Sequence, residues 1–165
     1  SQRDFCQHHG LGNAKYAQLQ ACLEMSKRYL TEKLVQQGNV LTSSQATREF
    51  LISELRNETR EVFAVLFLDN QHQILKFERL FYGTLNAATV YPRVVVEKAL
   101  AHHCAAVILA HNHPSGIAQA SIADKNITQK LARSLQLIDV KVLDHMIIAG
   151  HQCYSFAEHG EIIEA

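Results

Sequence analysis

Residues 105–124 read AAVILAHNHPSGIAQASIAD, and the reading of this stretch decides the fold. Ala105 to Ala110 is a short apolar run and reads as a buried strand. His111 to Ala120 follows as a loop with Pro114, Ser115 and Gly116. Ser121 then starts a helix in which Ile127, Leu131 and Leu135 recur four residues apart, one face of a helical period.

The neighbouring segments extend this pattern on both sides. Downstream, Val140 to Ala149 reads as a further strand ending at Gly150, and Tyr154 to Phe156 as a short terminal one. Upstream, Pro92 suits the first turn of a helix, where its missing N–H is no loss; that helix is expected to run to about His103. Val62 to Leu68, almost wholly apolar and rich in Val and Phe, reads as a strand buried on both faces. Asp69-Asn70-Gln71 is a turn, and Ile74 to Tyr82 is the partner strand of a hairpin closed by Gly83. Residues 13–37 read as a helix with Ala14, Ala17, Ala21, Met25 and Leu30 near one face, preceded by Gly10-Leu11-Gly12 and stopped by Gly38-Asn39. Ser43-Ser44 offer a cap for a second helix through about Leu55, so a boundary is expected at residues 38–43. The order is helices, a strand pair, helix, strand, helix, strand: an α/β domain with a mixed central sheet flanked by helices.

The opening stretch also carries the chemistry. In extended backbone, residues i and i+2 point to the same side, and Pro114 biases His113 toward extended geometry. His111 and His113 are therefore presented together, as a zinc ion with nitrogen ligands requires. Asp124 lies eleven residues beyond His113, in the first turn of the next helix, within reach of a loop that folds back. Two histidines and one carboxylate leave a fourth tetrahedral position open, the mark of a catalytic zinc. Ser121-Ile122-Ala123-Asp124 is equally a capping pattern, so Asp124 has a competing role at the helix end. A water-activating site also needs a base. Glu61, at the start of the strand Val62–Leu68, is a candidate; Glu54, Glu58, Glu78 and Glu97 compete with it.

Composition bounds the alternatives. The chain has 165 residues, 47% of them apolar, enough for a real core in one domain of ordinary size. A start at Ser1 without an initiator Met is what an excised piece of a longer chain would show. Cys6, Cys22, Cys104 and Cys153 are widely spaced with no C-x-x-C pair, which fits reduced thiols and a cytoplasmic location. No signal peptide or membrane-spanning run is present, so no membrane partner is expected. Sixteen basic residues balance sixteen acidic ones, against a strong nonspecific nucleic-acid binder.

These residues resemble a known family. His111-Asn112-His113-Pro114-Ser115-Gly116 followed by Ser121 and Asp124 is similar to the JAMM (MPN+) metalloprotease motif, and most similar to the H-N-H-P-S-G loop of the bacterial RadC family. Glu61-Val62-Phe63, Leu68-Asp69, Phe81-Tyr82-Gly83-Thr84, Pro92-Arg93 and Leu143-Asp144-His145 add to it, so the resemblance covers roughly residues 42–150. It implies a cytidine-deaminase-like JAMM/MPN fold and zinc on His111, His113 and Asp124. It also implies Glu61 as the catalytic glutamate and Ser121 as the oxyanion-stabilising serine. Such a set suits hydrolysis of an amide in a peptide or protein substrate. Ala118-Gln119-Ala120 departs from the prolines that usually precede the serine, which bears on loop rigidity. Residues 1–37 look like the C-terminal part of a helix-hairpin-helix unit, with weak DNA contact through the Gly10-Leu11-Gly12 turn as the function to test; residues 42–165 would be the zinc domain. Asp144-His145 is either a pair orienting a ligand or a satisfied core histidine.

Three functions compete at this point. The first is a zinc-dependent peptidase or isopeptidase. The second is a DNA repair or mobile-element accessory whose metal site is structural or vestigial. The third, a metal nuclease suggested by the string His-Asn-His, is a coincidence of letters, because nuclease motifs of that name hold those residues far apart in sequence. An intact Glu61 favours the first, since a structural zinc needs no base. Substrate and oligomeric state are not fixed by the sequence.

Overall fold

A computed structural model describes residues 1–36, 44–83 and 90–162. Five strands form one sheet: β1 (Val62–Leu68), β2 (Ile74–Tyr82), β3 (Ala106–Asn112), β4 (Lys141–Ala149) and β5 (Gln152–Ser155). Their order is β2-β1-β3-β4-β5. Only β3 and β4 run parallel; the other three pairings are antiparallel. A parallel neighbour needs a crossover, and α5 (Ile122–Gln136) supplies it. The expected mixed sheet flanked by helices is the observed architecture.

The two faces of the sheet bury different helices. Phe63, Val65 and Phe67 of β1, with Val107 and Leu109 of β3, face α4 (Pro92–Ala101) and α5 through Val95, Ala99, Ile127, Leu131 and Leu135. Val62, Ala64, Leu66 and Leu68, with Ile108 and Ala110, face α3 (Ser44–Leu55) through Phe50, Leu51 and Leu55. Coverage on both sides explains why β1 and β3 are apolar at nearly every position rather than alternating.

Several boundaries differ from the sequence reading, for identifiable reasons. The strand expected to stop at Ala110 continues through His111 and Asn112. Their polar side chains do not end it because both are buried with hydrogen-bond partners. The helix expected to reach about His103 ends at Ala101, and His103 turns with a φ of 51°. The terminal strand is Gln152–Ser155, starting two residues and ending one residue earlier than expected. A short helix, α1 (Gln2–Cys6), was not expected; a capping box between Ser1 and Asp4 starts it. It turns at Gly10, whose φ is 77°, into α2 (Asn13–Gln36). Ala14, Ala17 and Ala21 are exposed, and Met25 is 68% exposed, so the face read as apolar is not covered among the described residues. The expected stop at Gly38-Asn39, the boundary at 38–43 and Ser43 lie outside the described residues, as does Thr84. No helix among the described residues is long and apolar enough to cross a membrane.

Candidate metal centre

The site forms where β3 ends and α5 begins, at the carboxyl end of a parallel strand. His111 is buried and its ring lies nearly parallel to that of Phe63, 6.1 Å away. His113 lies just past the strand, with its N–H donating to the Ile148 carbonyl of β4 at 2.8 Å. The loop then folds back at Gly116, where φ is 81° and the N–H donates to the His113 carbonyl at 3.0 Å. A side chain other than glycine would be strained in that left-handed turn.

The returning loop delivers Asp124. Ser121 Oγ accepts from the Asp124 N–H at 3.1 Å, and the Asp124 carboxylate accepts from the Ser121 N–H at 2.7 Å. This reciprocal capping box fixes the first turn of α5. The two readings of Asp124 are thus not alternatives: the contact that caps the helix also aims the carboxylate. Asp124 Oδ1 is 3.1 Å from His111 Nε2, and Oδ2 is 3.6 Å from His113 Nε2. The two Nε2 atoms are 2.9 Å apart.

These distances test whether the residues suit a metal. Ligands about 2.05 Å from a tetrahedral zinc sit about 3.3 Å from one another; the two Nε2 atoms and the nearer carboxylate contact are 2.9 and 3.1 Å apart, and the 3.6 Å contact is to the other carboxylate oxygen. His113 Nδ1 lies 3.0 Å from the Ile117 carbonyl, which can only accept, so Nδ1 carries a proton and Nε2 is the nitrogen that faces the cluster. His111, His113 and Asp124 are also the group of potential ligands that the described residues bring within 4.8 Å of one another. The residues could hold a metal ion.

Electrostatics points the same way. Burial pushes the Asp124 carboxyl up, but hydrogen bonds to His111, His113 and Ser121 overcome it and hold the group far below the usual carboxylate range. Asp124 raises the His113 imidazole, burial opposes it, and the Ile117 carbonyl and the Glu61 charge add to the rise. An ionised carboxylate with two imidazoles attracts a cation, which is a proton when no metal is bound.

The contribution of Glu61 to that field puts it within electrostatic reach of His113, although it does not join the three-residue group. The other candidate glutamates have other placements. Glu54 accepts from Arg79 at 2.6 Å, Glu58 lies 3.6 Å from the same guanidinium, Glu78 pairs with Lys98 and His102, and Glu97 is exposed.

Asn112, passed over as a letter of the motif, has a structural task of its own. Alternation sends its side chain to the face opposite His111. There Oδ1 accepts from the Val62 N–H at 2.7 Å, and Nδ2 donates to the Arg60 carbonyl at 2.9 Å and the Glu58 carbonyl at 3.2 Å. The Gly83 N–H adds a bond to the Glu61 carbonyl at 2.9 Å. Backbone on both sides of Glu61 is thereby fixed to β3. Asn112→Ala would strand the buried Val62 N–H, and denaturant unfolding is expected to show a loss of about 1–3 kcal/mol. A loss below about 0.5 kcal/mol, the range of ordinary surface changes, would contradict that task.

Comparison with known proteins bears out the fold. The family model described as a RadC-like JAB domain matches residues 41–161. A UPF0758 protein of Aeromonas hydrophila is 58% identical over 159 residues, covering 96% of this chain and 70% of the relative. A UPF0758 protein of Tolumonas auensis is 58% identical with the same coverage. Another from Vibrio campbellii is 56% identical over 162 residues, covering 98% of this chain and 72% of the relative. With a family match over most of its length and relatives this similar, the chain belongs to the RadC-like JAB domain family.

Proposed function

We propose that this chain is a zinc-dependent hydrolase acting on amide bonds, a metallopeptidase or isopeptidase. The observation that carries this reading is the convergence of His111 Nε2, His113 Nε2 and the Asp124 carboxylate, with Glu61 within electrostatic reach of His113. Membership of a JAB domain family supports a hydrolase fold. His111, His113 and Asp124 would hold zinc, which supplies Lewis acidity and a water whose pKa falls to about 7.

The chain's own residues have distinct tasks. Glu61 takes the proton released by the attacking water and delivers it to the leaving amine. Ser121 spends its oxygen lone pair on the Asp124 N–H, which leaves the hydroxyl hydrogen to donate to the oxyanion of the substrate. The α5 N-terminus adds partial positive charge on the same side.

The test is hydrolysis of peptide, isopeptide and DNA substrates before and after chelation, with zinc added back. Peptide or isopeptide cleavage should vanish with the chelator and return with zinc. Metal-independent cleavage, or DNA cleavage that needs Glu61 and the three ligands, would overturn the reading.

A further inference from the structure

His111 has a second nitrogen, and what it touches determines whether it can serve as a ligand. His111 Nδ1 lies 2.8 Å from His145 Nε2, in the buried interior. His145 is 0% exposed, and its Nδ1 lies 2.6 Å from Thr128 Oγ1. Thr128 Oγ1 in turn donates to the Asp124 carbonyl, one helical turn back, at 2.6 Å.

The direction of this chain is set at its far end. A carbonyl can only accept, so the single Thr128 hydroxyl hydrogen goes to Asp124, and the oxygen accepts from His145 Nδ1–H. A buried neutral imidazole that donates at Nδ1 accepts at Nε2, so His111 donates from Nδ1. The Nε2 of His111 then faces Asp124 and His113, left to take what the cluster binds, a metal or, without one, a proton.

His145 is itself held on every side. Phe156 stacks on it at 4.9 Å and 21°, and Phe63 meets it edge-on at 5.5 Å. Asp144 accepts from the His145 N–H, the Ser155 hydroxyl and the Ala157 N–H, which ties the turn bearing Phe156 to β4.

We propose that Thr128 and His145 are positioning residues for the metal centre: their hydrogen-bonded relay fixes His111 as the Nδ1–H tautomer and so makes its Nε2 a ligand. This rests on reading His111, His113 and Asp124 as a metal site. Outer partners of ligating histidines change metal affinity by roughly 10–100-fold when removed.

Two readouts test it. The first is nitrogen NMR of the histidine rings in the zinc-free wild-type chain at mildly alkaline pH, which reports tautomers without any metal. His111 and His145 should each carry a proton on Nδ1; a His111 without a proton on Nδ1 overturns the proposal. The second is zinc affinity, measured by competition with a chromophoric chelator, for wild type, Thr128→Val and Thr128→Ser, each with its unfolding curve. Thr128→Val keeps the branched shape but loses the hydroxyl, and should weaken zinc binding roughly 10–100-fold. Thr128→Ser keeps the hydroxyl and should stay within a few-fold of wild type. Equal affinity for the Val variant, or equal loss in both, overturns the proposal. Failure of the wild type to bind zinc would instead sink the metal reading, and the tautomers alone would then decide the relay.

Discussion

Glu61→Gln is expected to keep its zinc and lose hydrolysis by roughly 10²–10⁴-fold in kcat, the usual contribution of a general acid–base group. Glutamine preserves size and can still hold a water, but it cannot take a proton from one. The backbone should not move, because Asn112 and the Gly83 N–H secure it on both sides. Because proton transfer occurs in the transition state, the loss should fall on kcat with KM little changed. Retained kcat within about threefold, well short of that contribution, would show that another group removes the proton.

Asp124→Ala should have the second large effect, since one carboxylate serves two structures. As a ligand it is one of few. Apportioning the roughly 10–16 kcal/mol of a four-ligand zinc site gives about 3 kcal/mol per ligand, or about 10²-fold in affinity. As a capping partner it orders the first turn of α5, whose loss costs about 1 kcal/mol even without metal. The variant should therefore bind zinc poorly and also melt lower in the metal-free state. Its acid response should differ too. The Asp124 carboxyl has a depressed folded-state pKa, so it contributes stability that is present above the unfolded carboxylate range and lost as pH falls toward the folded value. Metal-free wild type should accordingly lose more stability on acidification than Asp124→Ala. Parallel acid-unfolding curves would contradict this account of the carboxylate.

The fold and the ligands were legible in the sequence to different depths. Residues 62–68 and 105–110 are uninterrupted apolar runs, and a strand buried on both faces has no other way to look. His111, His113 and Asp124 lie within fourteen residues on one strand-loop-helix unit, so local geometry alone brings them close. Glu61 needed more, because its approach to His113 depends on the β1–β3 pairing of Phe63 with His111. Thr128 was beyond reach, and His145 stayed between two readings, for the same reason: they stand 17 residues apart, and His145 stands 34 from His111. Their contact is created by the parallel β3–β4 register and the packing of α5 on it. From sequence, Thr128 is only a polar residue beside Ile127, and His145, with Asp144, reads equally as orienting a ligand or as a satisfied core histidine. The polar strand extension at His111-Asn112 was hidden likewise, since the partners of Asn112 come from β1 and the loop before it and that of His111 from β4.

Titration of zinc into the metal-free wild-type chain, followed by calorimetry with His111→Ala, His113→Ala and Asp124→Ala alongside, tests the central claim most directly. A single tight zinc per wild-type chain, weakened about 10²-fold or more in each variant, is the predicted result. No zinc uptake by the wild type, or uptake unchanged in all three variants, would contradict it.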